Sequence, residues 1–168
     1  MNLQLCKWGL LMSSLVMSAA RAGVLSPAEV PLLHNLEAAI SEMNQGCRPL
    51  LLEFSAEYCE YCDLLEENIL KPIRRNRDYD KRVVMRKVML GNTTSINGFN
   101  GKPTSADKLA NRYNIMVTPT LIFVDTQGKE IAERMVGVTT LDFYGGYLDD
   151  ALDVAKLKRE KQGNCQQL

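Results

Sequence analysis

From Leu51 to Leu70 the sequence reads LLEFSAEYCEYCDLLEENIL, a hydrophobic run that turns into a charged stretch with helical spacing, with Cys59 and Cys62 at the junction. Two cysteines in this spacing can clasp a metal, staple a turn or exchange disulfides, and each use makes its own demand on the rest of the chain. A structural zinc site takes four ligands as a rule. Beyond the pair, the chain after its N-terminal segment offers Cys47, Cys165 and the single histidine, His34, none in a second closely spaced pair. A staple is poorly motivated too, because closing so short a loop removes roughly 2 kcal/mol of unfolded-state entropy and joins nothing distant. Exchange suits the spacing: one thiolate attacks a partner's disulfide, and the second thiol resolves the mixed disulfide before it persists.

The flanking patterns predict the elements that carry the pair. Ser26-Pro27 offers a cap and a first-turn proline, and Leu32, Leu33, Leu36, Ile40 and Met43 recur at three- and four-residue steps up to Gly46, which predicts a helix from Ser26. PLLLEFSA predicts a buried strand, bounded by Pro49 and the cysteine turn. Tyr61, Leu65, Ile69 and Ile73 mark one face of a second helix, bent or interrupted near Pro72. RVVMRKVML predicts a strand, GNTTSINGFNGKPT a loop, and SADKLANRYNI a short helix capped by Ser105. TLIFVDTQGKEIAERMVGV predicts a hairpin about a Gln-Gly turn, and Leu141 to about Lys158 a last amphipathic helix weakened by Gly145 and Gly146.

A chain of 168 residues, 46% hydrophobic and 24% charged, buries the core of one ordinary domain without staples. Residues 1–22 are a different material. Lys7 precedes the apolar run WGLLMSSLVMSA, and Ala20-Arg21-Ala22 has the small-x-small form of a cleavage site, so this segment reads as a secretory signal peptide. The run is shorter than a bilayer span of ~18 residues. A retained anchor is the alternative. Cys6 precedes the run, so it does not stand where a lipid-modified cysteine would. Residues 23–168 are then expected to form a single exported, periplasmic domain, monomeric and working without a cofactor. Removal of the segment takes Lys7, Arg21 and the only tryptophan, Trp8, but no acid, so 20 basic residues become 18 against 20 acidic ones, a net charge of −2. Neither a charge excess nor a basic aromatic cluster points to nucleic acid.

Strands alternating with helices, then a hairpin and a last helix, make an α/β arrangement. In this order, with the cysteine pair after the first strand and Thr118-Pro119-Thr120 opening the hairpin, the chain resembles the thioredoxin fold over roughly Leu50 to Leu157. The resemblance implies a mixed central sheet of about four strands flanked by helices. More narrowly, the C-E-Y-C pair, the LLEENILKPI helix, the polar loop before LANRYNIMVTPTLIFVDTQGKEI and the exported context are similar to the SoxW-type thioredoxin-related proteins.

At the helix start Cys59 lies near unpaired backbone N–H groups and the positive end of the helix dipole, which makes it the expected attacking thiolate; Cys62, one turn in, is the resolving thiol. Glu53, six residues before Cys59, stands where thioredoxins, by the resemblance, carry a buried aspartate. Desolvation would raise its pKa toward neutrality and suit it to take the Cys62 proton, unless its side chain reaches water. By the same resemblance Pro119 fits the cis-proline beside the pair, whose neighbouring backbone groups pair with an extended substrate. Thr118 and Tyr61 would border that groove, and Tyr58 takes the place where thioredoxins commonly carry tryptophan.

Glu57, Glu60, Asp63, Glu66 and Glu67 crowd the pair. Like charge raises a thiol's pKa, disfavours the reduced thiolate and so makes the couple more reducing. This predicts a reductant of disulfides in exported client proteins, cytochrome apoproteins or, by the SoxW resemblance, sulfur-oxidation proteins, with electrons from a membrane thiol donor. An isomerase or oxidase is the alternative, although about 146 residues after the signal leave no room for the dimerisation domain of exported isomerases. A reading from another class, a redox-silent module that only holds peptides in the groove, is opposed by intact Cys59 and Cys62.

In this fold the entry to the cysteine strand and the end of the last helix share the end of the domain away from the active site. Two readings of Cys47 and Cys165 stay open there: a disulfide closing about 119 residues, contributing up to about 4.7 kcal/mol in the entropy model, or a free buried Cys47 and a frayed tail.

Overall fold

The computed structural model describes residues 28–163 and 165. Residues 1–22, read above as a signal peptide, and the Ser26-Pro27 cap lie outside the described residues. The elements run α1 (Leu36–Asn44), β1 (Leu50–Ser55), α2 (Glu60–Leu65), a π-helical turn (Glu66–Leu70), α3 (Lys71–Arg75), a 3-10 turn (Arg77–Lys81), β2 (Val84–Met89), β3 (Ile96–Asn97), β4 (Pro103–Thr104), α4 (Ala106–Arg112), β5 (Thr120–Val124), β6 (Met135–Val136) and α5 (Leu141–Lys161).

Four strands form one sheet in the order β2-β1-β5-β6. β1 is parallel to β2 and antiparallel to β5, and β5 is antiparallel to β6. Parallel neighbours need a crossover connection, and α2 through α3 provide it. Every residue of β1 is buried, as befits a central strand covered on both faces. Leu50, Leu52 and Phe54 face one cluster with Leu36, Met43, Leu109 and Tyr113. Leu51 faces the other, with Leu65, Leu70, Leu148 and Leu152. Each such leucine stabilises by about 1.5–3 kcal/mol relative to exposure.

The first helix begins ten residues later than its periodicity suggests. Asn35 caps it, its side chain accepting from the Glu37 and Ala38 N–H groups at 2.9 and 3.2 Å. Leu32 and Leu33 are extended instead: the Lys87 N–H donates to the Pro31 carbonyl, and the Leu33 N–H donates to the Lys87 carbonyl, both at 2.8 Å. Pro31 disfavours helix in the residue before it, and the open edge of β2 supplies the alternative partner.

The second helix is interrupted just before Pro72. The Lys71 N–H donates to the Glu66 carbonyl five residues back, a π turn that absorbs the missing N–H of Pro72 two residues into α3. Its buried face is Cys62, Leu65, Glu66, Leu70 and Ile73, while Tyr61 is exposed. The Asn/Gly loop contains the small β3–β4 hairpin. After the Gln127-Gly128 turn the returning strand makes one bridge at Glu130 and resumes only in β6. Gly128 has φ +75°, and a Cβ there would meet the Phe99 ring at 2.7 Å and the Tyr113 hydroxyl at 2.9 Å. α5 runs unbroken through Gly145 and Gly146. Arg82 clamps it to the turn before β2, donating to Asp149 and Asp153 at 2.8 Å each.

Candidate active site

β1 ends at Ser55, and the chain turns through Tyr58, at φ +58°, into α2. Cys59 is the N-cap of that helix. Its carbonyl accepts from the Cys62 and Asp63 N–H groups at 2.9 and 3.1 Å, and its sulfur accepts from the Cys62 N–H at 3.2 Å. These contacts favour a thiolate at Cys59 once the pair is reduced. The Cys59 and Cys62 sulfurs lie at disulfide distance, 2.06 Å. Cys59 is half-buried and Cys62 buried, so one sulfur is open to a partner and the other faces the interior.

Across from the pair, the Thr118–Pro119 peptide is cis, and the Thr118 hydroxyl lies 3.5 Å from the Cys59 sulfur as a donor. The Pro119 carbonyl is taken by the Gly137 N–H at 2.8 Å, and the Thr120 hydroxyl donates to the Val117 carbonyl at 2.8 Å. Among the described residues the Thr118 N–H and carbonyl have no backbone partner. Around this edge lie exposed apolar side chains: Tyr58 and Tyr61 on the cysteine side, and Met116 and Val117 leading into Thr118. Met116 and Val117 were not singled out from sequence, where a short run before a T-P-T step reads as connector.

Glu53 belongs to the strand that leads into the pair. It is fully buried on β1, on the face shared with Leu51, and neither carboxyl oxygen has a hydrogen-bond partner among the described residues. Burial pushes its carboxyl up to about 8; Lys87, its register partner on β2, works against that shift, and Glu66 adds to it. Tyr144 of α5 is buried with an equally unpartnered hydroxyl, its pKa pushed up by desolvation and by the Glu53 charge.

The five acids around the pair do not act alike. Glu66 turns inward and pairs with Lys87, and Glu67 pairs with Lys71 at 2.5 Å. Glu57, Glu60 and Asp63 remain exposed with no ion-pair partner among the described residues. The charge bearing on Cys59 is therefore carried by three surface carboxylates, not five. Lys87 was missed as a site residue; its signal was a lysine inside the apolar run RVVMRKVML.

At the opposite end of β1, the Cys47 and Cys165 sulfurs lie 2.12 Å apart, joining residues 118 apart in sequence.

A half-exposed cysteine capping a helix, its partner one turn inside at disulfide distance, and the Thr118 hydroxyl 3.5 Å from the outer sulfur define a dithiol–disulfide exchange site on a four-stranded mixed sheet flanked by helices. The sequence matches the Thioredoxin-like domain over residues 36–152, and the chain belongs to that family. It adopts the thioredoxin fold. Thioredoxin f from spinach chloroplast, in its short form, is similar at 15% identity and a TM-score of 0.51, over 77% of this chain and 95% of that one. Thioredoxin O2 from Arabidopsis thaliana in its oxidised state is similar at 19% identity and a TM-score of 0.49, over 73% and 94%. A thioredoxin-fold protein from Helicobacter pylori is similar at 21% and 0.45, over 76% and 95%. The spinach likeness, at its low identity, speaks to the fold alone. No curated protein sequence matches the chain.

Proposed function

We propose that this chain is an exported thiol:disulfide oxidoreductase that reduces disulfides of periplasmic client proteins. The observation that carries the reading is the Cys59–Cys62 pair at disulfide distance on the N-terminus of α2, with the Thr118 hydroxyl 3.5 Å from the outer sulfur. In the reduced protein the Cys59 thiolate attacks one sulfur of a client disulfide. A mixed disulfide forms, and the client's other sulfur leaves as a thiolate. Glu53 accepts the Cys62 proton, the Cys62 thiolate attacks the Cys59 sulfur, and the second client thiolate leaves as the Cys59–Cys62 bond closes. Two electrons pass to the client, and a membrane dithiol donor returns them in the reverse exchange.

The free N–H and carbonyl of Thr118 suit pairing with an extended client segment, and Tyr58, Tyr61, Met116 and Val117 supply apolar contact beside it. The three unpaired carboxylates near Cys59 disfavour the thiolate, and this supports a reductant over an oxidase. Residues 1–22 support export.

The test is trapping. With Cys62→Ser, reaction with a disulfide-bonded protein such as insulin is expected to accumulate a mixed disulfide through Cys59 that gel electrophoresis without reductant resolves. With Cys59→Ser none forms. If the Cys59→Ser variant reduced insulin as fast as the unmodified protein, the exchange reading would be wrong and a peptide-holding module would take its place.

A further inference from the structure

Three ionisable side chains from three different elements, Glu53 of β1, Glu66 of the π turn and Lys87 of β2, act on one another, and among the described residues only two of them are paired. Glu66, 7% exposed, sits at the first residue of the π turn, one helical turn beyond Cys62. One of its oxygens accepts the Val30 N–H at 3.1 Å, and the other holds the Lys87 ammonium. Lys87 is the direct register partner of Glu53. On one sheet face such a pair is within reach of an ion pair. Yet the Glu53 oxygens are unpartnered, and the ammonium lies on Glu66. An ionised carboxylate held in that state would carry a large desolvation cost.

We propose that Glu66 is a positioning residue for the exchange reaction: by holding the Lys87 ammonium, it keeps that cation off Glu53, which thereby remains a proton acceptor and not a locked ion-pair partner. The inference rests on the reading of Glu53 as the group that receives the Cys62 proton. The groups facing Glu53 from the elements packed around it are Lys87 from β2, Glu66 from the π turn and the Tyr144 hydroxyl from α5; β5 presents the apolar Leu121. Lys87 is the one cation among them, so its choice of partner decides the state of Glu53. Three bonds fix that choice. The Val30 N–H orients Glu66, while the extended segment holds the Lys87 backbone through the Pro31 carbonyl and the Leu33 N–H. The π turn sets the phase at which Glu66 points inward.

Carboxyl-carbon NMR of the full domain with labelled glutamate tests this, the Glu53 signal being the one lost in Glu53→Gln. In the unmodified protein Glu53 is expected to titrate near 8. Glu66→Gln removes the charge that raises Glu53 and frees Lys87 to approach it. Both effects lower the midpoint, by about one pH unit or more, a tenfold loss of proton affinity. The acid limb of the pH profile for insulin reduction is expected to move down with it. Glu66→Asp keeps the charge but shortens the reach, so a smaller shift in the same direction is expected even if the glutamine variant does not fold. An unmoved Glu53 midpoint in whichever of these variants folds would overturn the proposal while leaving Glu53 as acceptor. An activity profile in Glu53→Gln identical to that of the unmodified protein would overturn the acceptor reading, and the proposal with it.

Discussion

The two cysteine pairs sit at opposite ends of β1, and their surroundings divide them. Cys59 and Cys62 are three residues apart, the outer one half-exposed beside the Thr118 hydroxyl and the inner one buried, and the strand that leads into them carries a buried carboxyl with no hydrogen-bond partner among the described residues. Cys47 and Cys165 are 118 residues apart, and among the described residues the buried polar side chains beside them have partners. Arg159, fully buried, donates to Asn44 at 3.1 Å, to Gln162 at 2.8 Å and to the Arg48 carbonyl at 3.4 Å, with its guanidinium 3.9 Å from the Cys165 sulfur. Lys156 reaches the Gly46 carbonyl at 3.1 Å. One end keeps groups unpaired, exposed or desolvated, as chemistry requires. The other uses hydrogen bonds and a long-range bridge to hold the end of α5 and Cys165 against the turn between α1 and β1, as stability requires.

Substitutions can break this division. The largest effect expected is at the outer cysteine: Cys59→Ser lowers insulin reduction on the order of 10³-fold or more, whereas Cys165→Ser leaves the rate unchanged. Equal losses in a turbidity assay would mean that both pairs carry electrons.

Glu53 comes next, because its burial opposes folding. At low pH the proton is bound in the folded and unfolded chains alike. Between the ordinary value of 4.5 and about 8, only the folded carboxyl keeps its proton, so stability falls as pH rises, and above about 8 it levels off. Over that window the loss reaches about 5 kcal/mol as an upper figure. Glu53→Gln should therefore stabilise the protein little at pH 4 and most at pH 9, as read by urea unfolding. A constant difference across pH would mean that Glu53 ionises freely in the fold.

At the base, Cys165→Ser should lower stability by up to about 4.7 kcal/mol under non-reducing conditions, and in a Cys59→Ser/Cys62→Ser background, where Cys47–Cys165 is the bridge left to open, reductant should lower stability by the same amount. Arg159→Met, which leaves its acceptors unpaired, should cost about 2 kcal/mol with no change in rate. The smallest effect expected is from Thr118→Val, which removes the hydroxyl near Cys59 and should slow reduction severalfold, about 1 kcal/mol, with unfolding unaltered. A stability loss there without a rate loss would erase the difference between the two ends.

Much of the active end was legible because its signals are local. An apolar run ending at a cysteine pair placed β1 and α2, and V-T-P-T placed the edge that faces them. The start of α1 was not legible, since Leu32 and Leu33 keep helical spacing with Leu36 and only the unfilled edge of β2 draws them into extended pairing. Nor was the inward turn of Glu66. A helix with Tyr61, Leu65, Ile69 and Ile73 on one face leads to the burial of Leu65 but not to that seen for Cys62 and Glu66. The Glu66–Lys87 pair depends on sheet register, which couples residues 21 apart and leaves no local trace. The bridge between Cys47 and Cys165 depends likewise on where α5 ends relative to the start of β1.

The central claim is that the Cys59–Cys62 couple is reducing, and its reduction potential tests this most directly. Equilibrating the protein with glutathione or dithiothreitol buffers, in a Cys47→Ser/Cys165→Ser background, and counting trapped thiols gives the value. Three unpaired carboxylates beside Cys59 predict a potential near or below roughly −250 mV, whereas a value between about −120 and −180 mV would contradict the account and assign the site to oxidation or isomerisation.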